Sequence, residues 1–257
     1  MSRLAILQFL GILLFVSATS VQPSFPPGLL EGIDVEFDTE PHMFPSNWYC
    51  KRIHAEAMSL PREYRTRAID ILNQAIAKYP EEVLFINLRK VYILQSLTFF
   101  GVPYGGTNFR DIVYLTYDHL NQKRTAEFME GVFHHEFSSV LIRKFHRQLD
   151  REAWLAVNPG GFRYGEGGVQ AIKNGEASLE FDANLHDLGF INKYSQSALE
   201  EDINVFAQNI FSGGSQFWLI VDSFDPIRKK TELIIRFYQL IDPVFTEEYF
   251  RSLAVSG

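Results

Sequence analysis

Cysteine, long basic runs and internal repeats are all scarce or absent in this chain. Cys50 is the single cysteine among 257 residues, so no internal disulfide can form and the fold must be held together by packing. The formal net charge is -7 and lysine and arginine form no long run, which argues against nucleic acid as a partner. No segment repeats, and the length suits one fairly large domain.

Apolar side chains, by contrast, are plentiful. Hydrophobic residues make up 46% of the sequence, and 23 residues are phenylalanine. A chain with this composition can build a substantial core, so most of it is expected to be folded rather than disordered.

The N-terminus has the three-part pattern of a secretory signal peptide. One arginine precedes an apolar run from Leu4 to about Ala18, and Ala18-Thr19-Ser20 fits a cleavage site, which predicts a signal peptide over 1–20. An uncleaved anchor is the alternative, although the run is short for a bilayer span. Export without disulfides favours a bacterial periplasm or the cell exterior, with no stable membrane anchor after cleavage.

The remaining chain is divided by composition into two parts. Residues 21–47 are rich in proline, glycine and acidic side chains, and 21–60 are predicted to be an extended lead-in, followed by one domain over 61–257. A helix is expected from Pro61 to Tyr79, and a β-meander from Val83 to Tyr117. Helices follow over 126–146 and 201–211, from Pro226, and at the C-terminus. The layout predicts an α+β fold in which a small antiparallel sheet packs against helices.

The stretch "FHHEFSSVL" contains half of a zinc-hydrolase motif. In H-E-x-x-H, two histidines four residues apart on a helix reach one zinc ion, and the glutamate takes a proton from metal-bound water. His135 and Glu136 fill the first two places, but Ser139 stands where the second histidine belongs. A serine hydroxyl is a weak, short ligand, so Ser139 is a degenerate ligand position.

Other histidines offer little compensation for this loss. His134 points about 100° around the helix from His135, and His146 lies about 16 Å further along the axis. His186 lies in a predicted loop, "ANLHDLGF", from which it could fold back toward the site.

Three segments together resemble a known family. They are "VYILQSLTFFGVPYGGTN", "VFHHEFSSVL", and "GFINKY" followed by "EEDINVFAQ". Over roughly Val83 to Phe211 the chain resembles bacterial zinc-binding metallopeptidases of the gluzincin type, which are similar to the catalytic domain of anthrax lethal factor and to secreted Pro-Pro endopeptidases. The family pattern is approximately H-H-E-F-x-H, then G-F-[VI]-x-x-Y, then an E-D-F-A-E helix.

This resemblance implies a zincin-like fold for the domain over 61–257, a zinc cofactor and a role for each matching residue. His135 and Glu201 would be metal ligands, Glu136 would be the general base, and Tyr194 would stabilise the oxyanion of the tetrahedral intermediate. The partner would be a peptide or protein substrate. Two departures from the pattern, Ser139 and the altered helix "EDINVFAQ", imply weakened metal binding and impaired activity.

Simpler interpretations of the same residues remain open. His135 and Glu136 suit a helix surface, Glu201 suits the first turn of a helix because of the helix dipole, and Tyr194 suits a packed anchor. Three hypotheses result. The protein is an exported zinc-metallopeptidase-like enzyme, a non-catalytic descendant of that fold that binds a peptide or a cell-surface polymer, or an exported structural protein without metal.

Overall fold

The computed structural model describes residues 32–117 and 126–254. The predicted signal peptide and the first part of the lead-in lie outside these residues. In the described part of the chain, no helix is both long enough and apolar enough to cross a membrane.

The sheet is organised around one long strand, β3 (Lys90–Phe99). Its first half pairs in parallel with β1 (Asp34–Glu36) on one side and with β6 (Ile112–Thr116) on the other. Its second half pairs antiparallel with β2 (Glu56–Ser59) and β4 (Val102–Tyr104), and β5 (Gly106–Phe109) pairs antiparallel with β6. The strand order β1-β3-β6-β5 leaves β5 at one end of the sheet.

Side chains alternate along each strand, so each face of the sheet carries its own set of buried residues. Both faces are covered by other parts of the chain. Val91, Ile93, Val113 and Leu115 point into the main core formed with the helices. Tyr92 and Tyr114 point the other way, where their rings stack 5.0 Å apart in a smaller aromatic core. Residues 43–55 of the lead-in close this second core, and both short lead-in strands join the sheet.

Ten helices surround the sheet in the described part of the chain. They are α1 (Arg62–Ile76), α2 (Glu81–Asn87), α3 (Ala126–Lys144), α4 (Arg151–Val157), α5 (Gly168–Lys173), α6 (Ala183–His186), α7 (Leu199–Ser212), α8 (Gly214–Ser223), α9 (Asp225–Ile241) and α10 (Glu247–Leu253). Short 3₁₀ helices cover Ser46–Tyr49 and Tyr194–Gln196.

The predicted α+β single domain is confirmed, whereas two details of the sheet are corrected. The sheet is mixed rather than purely antiparallel, because β3 pairs in parallel with two neighbours. The meander does not begin at Val83, since 81–87 form α2: Glu81 and Glu82 occupy its first turn, while Val83 and Leu84 are buried. Strand structure begins only at Lys90.

Candidate functional site

The centre of the candidate site lies where α3 crosses α7. The helices approach closely at Gly131, where an added Cβ would lie 2.8 Å from Nε2 of Gln208. One turn further along α3, the structure places Nε2 of His135 3.0 Å from Oε2 of Glu201. These two predicted ligand residues, 66 positions apart, therefore share one small pocket.

The His135–Glu201 contact controls the charge of the imidazole. Burial acts to lower the pKa of His135, but the hydrogen bond to Glu201 and the negative charges of Glu201, Glu136 and Glu200 outweigh burial and raise it. The imidazole is thereby favoured as a cation that donates to the carboxylate. With His135 protonated, the pair forms a charge-assisted hydrogen bond.

Glu136 faces the same pocket and is held by the end strand of the sheet. Nδ2 of Asn108 on β5 donates to Oε2 of Glu136 at 2.6 Å. Burial is the main reason that the pKa of Glu136 rises to about 7 from a usual value of 4.5, and it outweighs the opposing influence of His135 and Asn108. A carboxyl group that titrates near neutrality is suited to taking up or releasing a proton.

The raised pKa of Glu136 predicts a pH-dependent effect of Glu136→Gln on stability. The folded state holds the proton more tightly than the unfolded chain, so the cost of burying the charge is absent below about pH 4.5 and complete above about pH 7. Glutamine keeps an acceptor for Asn108 without the charge. We expect the variant to be more stable than the parent by about 3 kcal/mol at pH 8 and equal to it at pH 4, in urea unfolding.

A control for this experiment is Glu248→Gln, which removes an exposed carboxylate from the first turn of α10. It should not show the same gain between pH 4 and pH 8. A constant difference between Glu136→Gln and the parent across this pH range would contradict the assignment.

Tyr194 completes the polar end of the pocket. Its ring centroid lies 6.0 Å from that of His135, and its hydroxyl is hydrogen-bonded to Glu201. Burial, followed by the charges of Glu201 and Glu136, raises the pKa of Tyr194, so the phenol keeps its proton. Its single hydroxyl proton is donated to Glu201, so the phenol can donate to another anionic oxygen only in exchange for that bond.

Gly168, at the start of α5, passes directly over Tyr194 and Glu201. A Cβ at this position would lie 2.5 Å from the Tyr194 hydroxyl oxygen and 2.7 Å from Oε1 of Glu201. Only glycine fits such a close approach. The glycine-rich stretch 158–168 thus contributes one wall of the site.

Ser139 lies on the same face of α3 as His135 but is turned to another partner. Its hydroxyl oxygen accepts a hydrogen bond from Nδ2 of Asn204 on α7 at 2.6 Å, and the side chain is buried. Asn204 lies one turn after Glu201, so the Ser139–Asn204 bond runs beside the His135–Glu201 bond. The position of the second motif histidine is filled by a neutral polar pair, in which Asn204 Oδ1 is buried without a hydrogen-bond partner among the described residues.

None of the other histidines considered from sequence joins the site. His134 is buried and its Nδ1 lies 2.9 Å from the Tyr79 hydroxyl, while Nδ1 of the exposed His146 lies 3.3 Å from the carbonyl oxygen of Arg143. His186 belongs to α6 and its ring lies 5.1 Å from that of Phe224, so the expectation that it could fold back to the site is not met.

The residues present do not fit a catalytic zinc ion. Such sites use three protein ligands, as in His₃, His₂Glu or Cys₂His sets. Across 32–117 and 126–254, no group of three His, Cys, Asp or Glu side chains could hold a metal ion. The pocket supplies one imidazole and one carboxylate, whose separation of 3.0 Å is compatible with both reaching one ion, but the third position is Ser139, which is engaged by Asn204.

A cavity of about 270 Å³ opens beside these side chains. Its polar end is formed by Tyr104, His135, Glu136 and Tyr194, and its other end is apolar. A second groove of about 880 Å³ adjoins it and shares four lining residues: Phe128, Ala177, Leu179 and Gln208.

Comparison with known proteins supports the fold. The chain matches the crystal structure of a "putative zinc-binding metallo-peptidase" from Bacteroides caccae with a TM-score of 0.57 and 16% sequence identity, over 89% of this chain and 88% of the other. No protein-family model and no curated protein matches the sequence. At this identity the likeness shows a shared fold, and any shared function must be argued from the site.

Proposed function

We propose that this protein binds an extended peptide in the cleft of a metallopeptidase-like fold and does not hydrolyse it with zinc. The observation that carries the proposal is the hydrogen bond from Asn204 to Ser139, which occupies the second ligand position with a neutral pair. A lapsed gluzincin-type site, in which one histidine has been replaced and the surrounding fold retained, accounts for this arrangement.

The cleft has the shape and the polar groups that a peptide requires. On one side it is bounded by Gly105 and Gly106, which bring the β4–β5 segment against α3; a Cβ on Gly106 would lie 2.5 Å from Val132. Strand β5 pairs with β6 on one side, and no strand of the described residues pairs with its other side. An unpaired strand edge can bind a peptide by adding a strand through main-chain hydrogen bonds.

Hydrolysis is the second candidate function, because the structure gathers His135, Glu136, Tyr194 and Glu201 around one cavity. In this alternative Glu136 would take a proton from water, and Tyr194 would donate a hydrogen bond to the developing oxyanion. The missing third ligand is the obstacle, since the reaction of this class depends on a firmly held metal ion.

Peptide binding can be tested with metal-free protein. We expect selection from a random octapeptide library in EDTA to enrich specific sequences, and the synthesised peptides to bind saturably in fluorescence polarisation. Mass spectrometry should find them intact after prolonged incubation with the protein. Leu179→Trp, which fills the cavity, should weaken binding at least tenfold.

The matched control is Leu219→Trp, the same substitution at an exposed position on α8 away from the cavity. This variant should bind the peptides like the parent. Failure to enrich any peptide would overturn the binding proposal, and metal-dependent cleavage of the bound peptides would establish the second candidate instead.

A further inference from the structure

An apolar pair lies exposed on the outer face of α2. Phe85 is 70% exposed and Ile86 is 64% exposed, whereas Val83 and Leu84 of the same short helix are buried in the main core. In the part of the chain that the structure describes, no other two neighbouring residues are both large, apolar and exposed. Neither side chain lines the cleft beside Glu136, so the pair belongs to a different surface.

Acidic side chains flank this pair toward the N-terminal end of α2. Glu81 and Glu82 precede Phe85 and Ile86 by four residues, so each carboxylate lies one helical turn from one apolar side chain on the same exposed face. The helix dipole accounts for acidic residues in a first turn, but it does not account for the apolar side chains beside them.

Basic side chains flank the pair at the opposite end of the helix. Nζ of Lys144 donates a hydrogen bond to the carbonyl oxygen of Ile86 at 3.1 Å, so its ammonium group lies at the C-terminal end of α2. Arg89 and Lys144 line a groove of about 580 Å³ together with two further arginines. The single acidic residue of this lining, Asp111, lies 3.4 Å from Arg89. This end of the surface therefore carries a net positive charge.

The order of acidic, apolar and basic groups along α2 is complementary to itself. When a second copy packs its α2 antiparallel to the first, with the two Phe85 rings at the two-fold axis, Glu81 lies opposite the second copy's Arg89, because both are four residues from Phe85. The acidic end of each helix then meets the basic end of the other, and the two helix dipoles run in opposite directions. A purely anionic or cationic partner would complement one end and repel the other.

We propose that the outer face of α2 is the interface of a symmetric homodimer of this chain. The Phe85 and Ile86 side chains of both copies supply the apolar centre, and the flanking charges set the antiparallel orientation. An interface centred on two short helices is small, so the association is expected to depend on protein concentration. The surface lies apart from the cleft, and the proposal does not depend on peptide binding.

Sedimentation equilibrium of the full-length protein tests the apolar centre. We expect the parent to show a monomer–dimer equilibrium and Phe85→Ser to weaken it at least tenfold, because the ring at the axis is lost from both copies. Leu219→Ser is the matched control, since it removes a similarly exposed apolar side chain from α8, and it should dimerise like the parent. Equal association of Phe85→Ser and the parent, or a monomeric parent up to about 1 mM, would overturn the proposal.

Exchange of the charges tests the two-fold symmetry. The Glu81→Lys, Glu82→Lys variant and the Arg89→Glu, Lys144→Glu variant should each dimerise at least tenfold more weakly than the parent, because like charges then face each other at both ends of the interface. A mixture of the two variants should recover dimers, since the exchanged charges are again opposite at both ends. A mixture that stays as monomeric as its components would exclude the antiparallel arrangement.

Arg147→Glu, Arg151→Glu is the control for net charge. It makes the same change of charge as the basic-end variant at two exposed arginines that line a different groove, and it should dimerise like the parent. If a double variant folds poorly, the single exchanges Glu81→Lys and Arg89→Glu, mixed in the same way, repeat the test. The N-terminal apolar run is common to all these proteins, so differences between them come from the substituted surfaces.

Discussion

The Ser139→His variant is expected to bind zinc at least 100-fold more tightly than the parent protein. Histidine at this position lies one helical turn after His135, so both imidazoles and the Glu201 carboxylate could reach one ion and complete a His₂Glu set. Loss of a supporting interaction alone costs 10–100-fold in metal affinity, and an added ligand should be worth more. Zinc affinity is measured by competition with a chromophoric chelator, and bound zinc by elemental analysis after dialysis.

Burial of Ser139 gives this experiment its main difficulty. The side chain is 4% exposed, so a larger imidazole must displace the amide of Asn204. The Ser139→His, Asn204→Ser double variant provides space by shortening the opposing side chain. If the single variant folds poorly, the double variant still tests the idea.

A further substitution distinguishes a restored site from a surface histidine that binds metal by chance. Adding His135→Ala to the Ser139→His protein should return zinc affinity to the parent level, because the new imidazole alone has too few partners. If the parent, the Ser139→His variant and the Ser139→His, Asn204→Ser variant all bound zinc equally, α3 and α7 would not carry a lapsed metal site.

The candidate site was predictable from sequence where the family pattern names residue types at set positions within short segments. The motif predicts four site residues: His135, Glu136, Tyr194 and Glu201. The structure brings their side chains to one pocket, and their chemical roles remain predictions. Asn108, Gly168 and Asn204 were missed. Each acts through contact with a distant segment, and no local pattern in a single sequence signals such a partner.

The fold shows the same difference between features that a local sequence pattern signals and features that depend on contacts with distant segments. The sequence predicts a strand over 83–87, although the apolar composition of this short run suits a helix equally well. These residues form part of helix α2, and that outcome depends on which face packs against the core. The sequence predicts one helix over 201–211 and the next from Pro226, and it does not predict α8, which begins at Gly214 directly after α7 ends at Ser212. Strand direction is set by tertiary pairing, so the parallel partners of β3 were not foreseeable.

The buried ion pair between Asp202 and Lys230, beside the site, is expected to contribute more to the stability of the protein than any exposed ion pair does. Oδ2 of Asp202, in the first turn of α7, accepts hydrogen bonds from Lys230 Nζ at 2.7 Å, Tyr164 Oη at 2.7 Å and Trp154 Nε1 at 2.9 Å. Neither charged side chain is exposed, and the Lys230 ammonium lies 4.1 Å from the ring centroid of Phe190. The network joins α4, α7 and α9 to the residue that follows Glu201.

Lys230→Met should destabilise the protein by about 3–5 kcal/mol at pH 7, because it leaves the Asp202 carboxylate buried without its counter-charge. The Lys230→Met, Asp202→Asn double variant removes both charges and should recover much of the loss, which identifies the unpaired charge as the cause. Arg228→Met on α9, which breaks exposed ion pairs with Asp225 and Glu232, should leave the urea midpoint almost unchanged. A Lys230→Met midpoint as high as that of Arg228→Met would mean that the buried pair contributes little to holding Glu201 and its helix in place.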